Sequence, residues 1–367
     1  MRARLAFAAA LGVAACGEGD EPAPPWVWSL PPGFPEPFVP ADNPMSAEKV
    51  ALGERLFFDA RLSWNESLSC AGCHDPELAF SDARAKPVGS ADETLPRSSM
   101  SLLGAAWVAP YTWANPVLET LEEQALVPLF ADAPLEIGLQ RDTAAILGRF
   151  AADPAMAEAF AAAFPDDDDP IQTEAVVAAL ASYQRTLVGG DSAYDRLAYG
   201  GDAEAMSDAA LRGMDLFFSE RTECYHCHGG FLFTVGFRSA AQPGLANAFF
   251  NNGLYDVGGT GDYPAGNQGL FEFTANPADR GKFRPPSLRN VAVTAPYMHD
   301  GSIATLEDVV AHYMAGGRNV EDGPLAGDGR AHPNKDPLVA PRDLSAEERA
   351  DLVEFLRALT DARYQGG

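Results

Sequence analysis

Positive charge is scarce in this sequence: 26 Lys and Arg stand against 52 Asp and Glu, a net charge of −26. A surface of that sign repels phosphate backbones and acidic headgroups, which argues against nucleic acid and anionic membranes as partners. Long apolar runs are also missing. The longest, Leu5 to Ala15, falls well short of the ~20 residues that span a bilayer. Strand-like alternation is rare, so the fold reads as mainly α. Cysteine is limited to five residues, and four of them fall in two C-x-x-C-H motifs, which leaves none for disulfides if Cys16 is otherwise engaged.

The N-terminus supplies that engagement. Arg2 and Arg4 precede the apolar run, which ends Val13–Ala14–Ala15–Cys16. This resembles a bacterial lipoprotein signal in which Cys16 becomes the lipidated first residue; plain signal cleavage is the alternative. The expectation is an exported chain on the periplasmic side, touching membrane only through its N-terminal lipid. Residues 1–15 are then the signal and 16–45 a tether rich in Pro and acids. Two domains follow, one around each C-x-x-C-H motif, at 46–200 and 201–367.

The body carries an internal echo. Ser46 opens a stretch ending Leu56–Phe57–Phe58 before the first motif, and Ser207 opens one ending Leu216–Phe217–Phe218 before the second. Each reads as an amphipathic helix, with Gly53 and Gly213 in register, so the two halves read as a duplication. A further helix is expected from Glu174 to Leu187. Ser345-x-x-Glu348 is a capping box opening a last helix, with Leu352, Phe355, Leu356 and Leu359 in one apolar stripe. The Asp166–Asp169 run reads as a solvated loop, and 253–269 and 321–342 as long loops.

The motifs are Cys70–Ala71–Gly72–Cys73–His74 and Cys224–Tyr225–His226–Cys227–His228. Such a segment lets two thiols add to the two vinyl groups of one haem while the next His reaches its iron. A zinc ribbon would pair its C-x-x-C units roughly 15–20 residues apart. Here they are about 150 apart, and each carries its own His. Two covalently bound haem c groups are therefore expected, with His74 and His228 as proximal ligands. The other histidines are 226, 299, 312 and 332, and none lies between His74 and the second motif. The first haem thus lacks a local distal His, which leaves its sixth position open to peroxide. His226 and His332 carry no expected role, and His312 is read as a helix neighbour.

Leu56–Ser63 before the first motif, and Pro286–Ala292 and Ala295–Ser302 after the second, resemble the bacterial di-haem cytochrome c peroxidase/MauG superfamily over about residues 45–362. Leu30–Phe34, Asp42–Ser46, Pro134–Leu139 and Asn251–Asp256 look most like its MbnH, methanobactin-associated, branch.

The resemblance implies roles residue by residue. Trp113 would be an electron stepping stone between the haems. Gln124, Pro128 and Glu136 would form the distal pocket of the first haem, although two extra residues separate Gln124 from Glu136 here. The sixth ligand of the second haem would be Tyr313, with Met314 as the alternative one position on. A Ca²⁺ would bind Ser98, where relatives carry Asn, and the backbone oxygens of Thr294 and Pro296. The implied activity uses H₂O₂ at the first haem to build a high-valent di-haem state. That state would oxidise a Trp on an exported, copper-binding partner. Two alternatives stand beside it: a peroxidase reducing H₂O₂ with electrons from a small cytochrome, and a non-catalytic electron-transfer cytochrome.

Overall fold

The computed structural model describes residues 26–245 and 248–365, so the export signal and Cys16 lie outside the described residues. The helices, in chain order, are α1 (Ala47–Phe58), α2 (Leu121–Phe130), α3 (Thr143–Ala151), α4 (Pro154–Ala163), α5 (Thr173–Arg185), α6 (Ala193–Ala198), α7 (Asp208–Phe217), α8 (Phe271–Thr274), α9 (Leu306–Met314) and α10 (Ala346–Ala358). The one regular strand pairing among the described residues is a two-residue antiparallel ladder, β1 (Asn319–Val320) with β2 (Gly327–Asp328). The mainly α reading therefore holds. No helix among the described residues is long and apolar enough to cross a membrane.

The helix starts follow from the sequence. A helix leaves its first N–H groups without partners, and a Ser at the N-cap accepts from one of them. Ser46 Oγ accepts from the Lys49 amide and Ser207 Oγ from the Ala210 amide. Ser345 and Glu348 form the reciprocal capping box at α10. The run Asp166–Asp169 is exposed in the turn before α5.

Two cores form. In one, Leu52, Leu56 and Phe57 of α1 pack on Val176 and Leu180 of α5. In the other, Phe217 of α7 packs on Leu352, Phe355 and Leu356 of α10. Both crossings depend on a glycine. A Cβ on Gly53 would sit 1.9 Å from the Ala179 carbonyl oxygen of α5, and one on Gly213 would sit 1.9 Å from that of Asp351 in α10. Backbone thus lies directly on backbone, which no larger residue permits without parting the helices. Each of the fully buried leucines would cost about 2–5 kcal/mol as alanine.

Buried ion pairs fix the remaining pieces. Arg289 makes a two-pronged contact with Asp195 of α6 at 2.8 and 2.9 Å, and Arg185 of α5 reaches Glu122 of α2 at 2.6 Å. The segments 253–269 and 321–342 are long connections with little regular structure, as their Gly and Pro content predicts. Buried His332 joins them, meeting the Gly261 carbonyl through Nε2 and Asn251 through Nδ1.

Candidate haem clefts

Each motif folds as a single tight turn. The His74 amide donates to the Cys70 carbonyl at 3.0 Å, and the His228 amide to the Cys224 carbonyl at 2.9 Å. The turn brings both thiols and the imidazole of a motif onto the wall of one cleft. Cys70, Cys73 and His74 line the first cleft, and Cys224, Cys227 and His228 line the second. To their open mouths they enclose about 2070 and 1430 Å³.

The two imidazoles are held alike. Nδ1 of His74 lies 3.0 Å from the Phe80 carbonyl oxygen, and Nδ1 of His228 lies 3.0 Å from that of Phe233. A carbonyl can only accept, so Nδ1 carries the proton and Nε2 keeps the lone pair that a metal needs. Burial holds both rings neutral, lowering His74 and pushing His228 down to about 4. It also raises the four thiols, Cys70 and Cys227 to about 12 and Cys73 to about 11. The two thiol pairs line separate clefts and so do not combine into one four-thiol zinc site. Among the described residues, the one group of three potential ligands within metal reach is Glu220, Glu223 and His226. Two thiols and one ligating imidazole per cleft are the donor set that covalent haem requires.

The first cleft also receives Trp113, Gln124, Pro128 and Glu136, and His74 is the only histidine on its wall. Gln124 and Pro128 sit on α2, which a Thr120–Glu123 capping box starts. Pro128 has no N–H, so the Gln124 carbonyl goes without its helical partner. Glu136 is fixed through its backbone, its carbonyl accepting from the Ser90 amide at 2.8 Å. Burial raises its carboxyl to about 7.

The second cleft receives Trp113 again, together with Tyr313 and Met314. Both candidates for sixth ligand therefore reach its wall, but they differ in packing. Met314 is buried in the α7–α10 core, whereas Tyr313 is only half-buried and packs at its edge. Burial pushes the Tyr313 hydroxyl up to about 12, while a hydrogen bond with the Asn252 side chain acts in the opposite sense. His312, next on α9, turns away and meets the Asn252 carbonyl. Exposed His226 lies 2.7 Å from Glu223 and stays out of both clefts.

Trp113 thus borders both clefts. Its indole N–H donates to the Ser98 carbonyl at 2.9 Å. Ser98 in turn donates from its amide to the His299 carbonyl and from its hydroxyl to the Met298 carbonyl, at 3.1 Å. Ser98 is thereby engaged through its amide, its carbonyl and its hydroxyl. Ca²⁺ takes 6–8 oxygens, usually with carboxylates among them. Ser98, Thr294 and Pro296 supply three and no carboxylate, a poor fit.

Sequence reasoning passed over Arg284, which lines both clefts, and Asn252, Met298 and His299 in the second. No motif spacing marks a role for them, although Asn252, Met298 and His299 fall within stretches that carry the family resemblance.

Known proteins are similar to this chain in sequence and fold. The family model for di-haem cytochrome c peroxidase matches residues 47–204. The chain is 38% identical to cytochrome-c peroxidase IdrP1 of Denitromonas iodatirespirans, over 98% of this chain and 93% of that protein. It is 36% identical to methylamine utilization protein MauG of Methylorubrum extorquens, over 87% and 80%. A crystal structure of a MauG-like protein associated with microbial copper homeostasis superposes with a TM-score of 0.89 at 48% identity, covering 93% of this chain and 99% of the other. The chain, an enzyme of peroxide-linked redox chemistry, belongs to the bacterial di-haem cytochrome c peroxidase/MauG superfamily.

Proposed function

We propose that the enzyme turns over H₂O₂ in the first cleft and draws the electrons through Trp113 and the second cleft from an aromatic residue, a Trp, of an exported partner protein. A haem held by two thioethers and one histidine supplies iron that reacts with peroxide when its sixth position is open. The observation that carries the peroxide step is the first cleft, where Gln124 and Glu136 face the cavity that His74 borders and no second histidine competes. Gln124 can hold peroxide by donating and accepting at once. Glu136, poised near neutrality, takes a proton from one peroxide oxygen and returns it to the departing one. Pro128 offers no side-chain donor and keeps that wall of the cavity free of a competing ligand.

Tyr313 carries the choice of electron source. A phenolate is a hard oxygen donor and favours oxidised iron, so Tyr313, as sixth ligand to a haem in the second cleft, would hold that iron oxidised and would disfavour electron entry there. The copper-associated MauG-like structure supports this reading and the MbnH branch, with a copper-binding partner. A second reading has its own support. The matching family model and IdrP1 are cytochrome c peroxidases, which favours a small cytochrome as donor. The two separate cleanly. Holoenzyme is given H₂O₂ with either reduced cytochrome c or a Trp-containing exported copper-binding protein. A lasting covalent mass change in the protein partner supports the proposal. Sustained cytochrome oxidation with no such change supports the peroxidase.

We further infer that residues 46–200 and 201–367 are duplicated haem domains. The paired glycine crossings, N-cap serines and His-to-Phe carbonyl contacts support this. An exported protein lipid-anchored at Cys16 completes the proposal. Calcium is left out of it.

A further inference from the structure

Two buried arginines of this chain, Arg238 and Arg284, have no carboxylate within ion-pair distance among the described residues, and of these Arg284 alone lines the clefts. Arg289 pairs with Asp195 and Arg185 with Glu122. Arg284 is 3% exposed, and no carboxylate among the described residues lies within ion-pair distance of it. Its Nε donates to the Thr112 carbonyl at 3.0 Å. The rest of the guanidinium fares worse: Nη1 reaches the Pro285 carbonyl at a marginal 3.5 Å, and Nη2 meets the weakly accepting Met100 sulfur at 3.3 Å. The missing counter-charge is costly, and burial draws the group down to about 10. A buried cation without an anion is strongly unfavourable unless a bound group supplies one.

The position of Arg284 says what that group is. The side chain lines both clefts, and its backbone amide donates to the Trp113 carbonyl at 2.8 Å. It therefore sits at the junction between the two cavities, beside the residue that also borders both. A buried ring nitrogen with no partner lines the second cleft as well. His299 stacks on Phe283 at 3.7 Å, lines the second cleft, and has its buried Nε2 without a partner. Haem carries two propionate carboxylates, and a guanidinium presents its donors in a planar fork that suits carboxylate.

We propose that Arg284 is a shared anchor that binds a propionate from the haem of each cleft, a positioning residue that sets the two haems' potentials together. This rests on the two-haem reading above. One cation facing both groups favours the reduced, more negative form of each. It also ties any displacement of one haem to the other and to the backbone of Trp113.

The test uses purified holoprotein of the wild type, Arg284→Gln and Arg284→Lys. Haem is counted by pyridine haemochromogen, and both haems are then titrated potentiometrically. Both reduction potentials are expected to fall in Arg284→Gln, and to fall less in Arg284→Lys, which keeps the charge but not the fork. Potentials that stay put, or a fall at one haem alone, overturn the shared anchor. A purely structural role would lower stability and leave the potentials unmoved. Should Arg284→Gln fail to mature, resonance Raman of Arg284→Lys decides: propionate bending bands of both haems shift if the proposal holds and stay fixed if it fails. A wild-type count below two haems per chain would sink the cofactor reading itself, a separate outcome.

Discussion

Glu136→Gln offers two quantities that can be worked out in advance. The substitution keeps the shape and removes the proton exchange. Burial raises the carboxyl from 4.5 to about 7. Each pKa unit corresponds to 1.36 kcal/mol, so carrying the ionised carboxylate costs the fold about 3 kcal/mol. The sign follows from the raised value. Below about pH 4.5 the group is neutral in both folded and unfolded chains, and the wild type loses nothing. Between there and about 7 only the unfolded chain ionises, and wild-type stability falls. Denaturant unfolding of both holoproteins should therefore show similar stabilities at pH 4, with Glu136→Gln more stable by up to about 3 kcal/mol at pH 8. The kinetic arm runs the other way. A positioned acid–base group is worth roughly 10²–10⁴-fold, so the second-order rate with H₂O₂ should drop by that factor. The wild-type rate should climb through about pH 7 as the carboxylate forms, and the variant's profile should be flat there. A stability difference independent of pH, or an unchanged peroxide rate, would refute the reasoning for this residue.

Further expectations follow from the packing. Tyr313→Phe should change the absorption spectrum of the second haem and leave the first untouched, whereas Met314→Leu should cost under about 1.5 kcal/mol and leave both spectra alone. Gly53→Ala or Gly213→Ala should lower the urea midpoint, each worth roughly 1–3 kcal/mol, because the new methyl meets a backbone oxygen at 1.9 Å. Trp113→Phe keeps an aromatic ring but loses the donor to Ser98; peroxide should still react at the first haem while stopped-flow spectra show the second responding more slowly.

What could be read in the sequence was whatever local chemistry dictates. The C-x-x-C-H spacing is a covalent requirement of haem attachment, so both candidate attachment sites could be read at once. Ser46, Ser207 and Ser345 announced helix starts because a cap acts within three residues. Gly53 and Gly213 could be aligned, but only the three-dimensional crossing explains them. Glu136 was reachable only through resemblance, since nothing near it in sequence marks a carboxylate bent back toward a cleft. Tyr313 was preferred to Met314 through resemblance alone, because adjacent helical residues differ only by a ~100° rotation; in the fold Met314 is buried in the α7–α10 core and Tyr313 packs at its edge. Arg284 left no local trace at all, because its significance is a missing partner. Calcium is the reverse case, a role carried in by resemblance that the Ser98 donors fit poorly.

The central claim is that two similar attachment motifs hold unequal haems, the first open and the second closed. EPR of resting and peroxide-treated holoprotein tests it most directly. One high-spin signal, from the haem at His74, should disappear on adding H₂O₂, beside one six-coordinate signal from the haem at His228. Two low-spin, six-coordinate signals indifferent to peroxide would contradict it and leave an electron-transfer cytochrome.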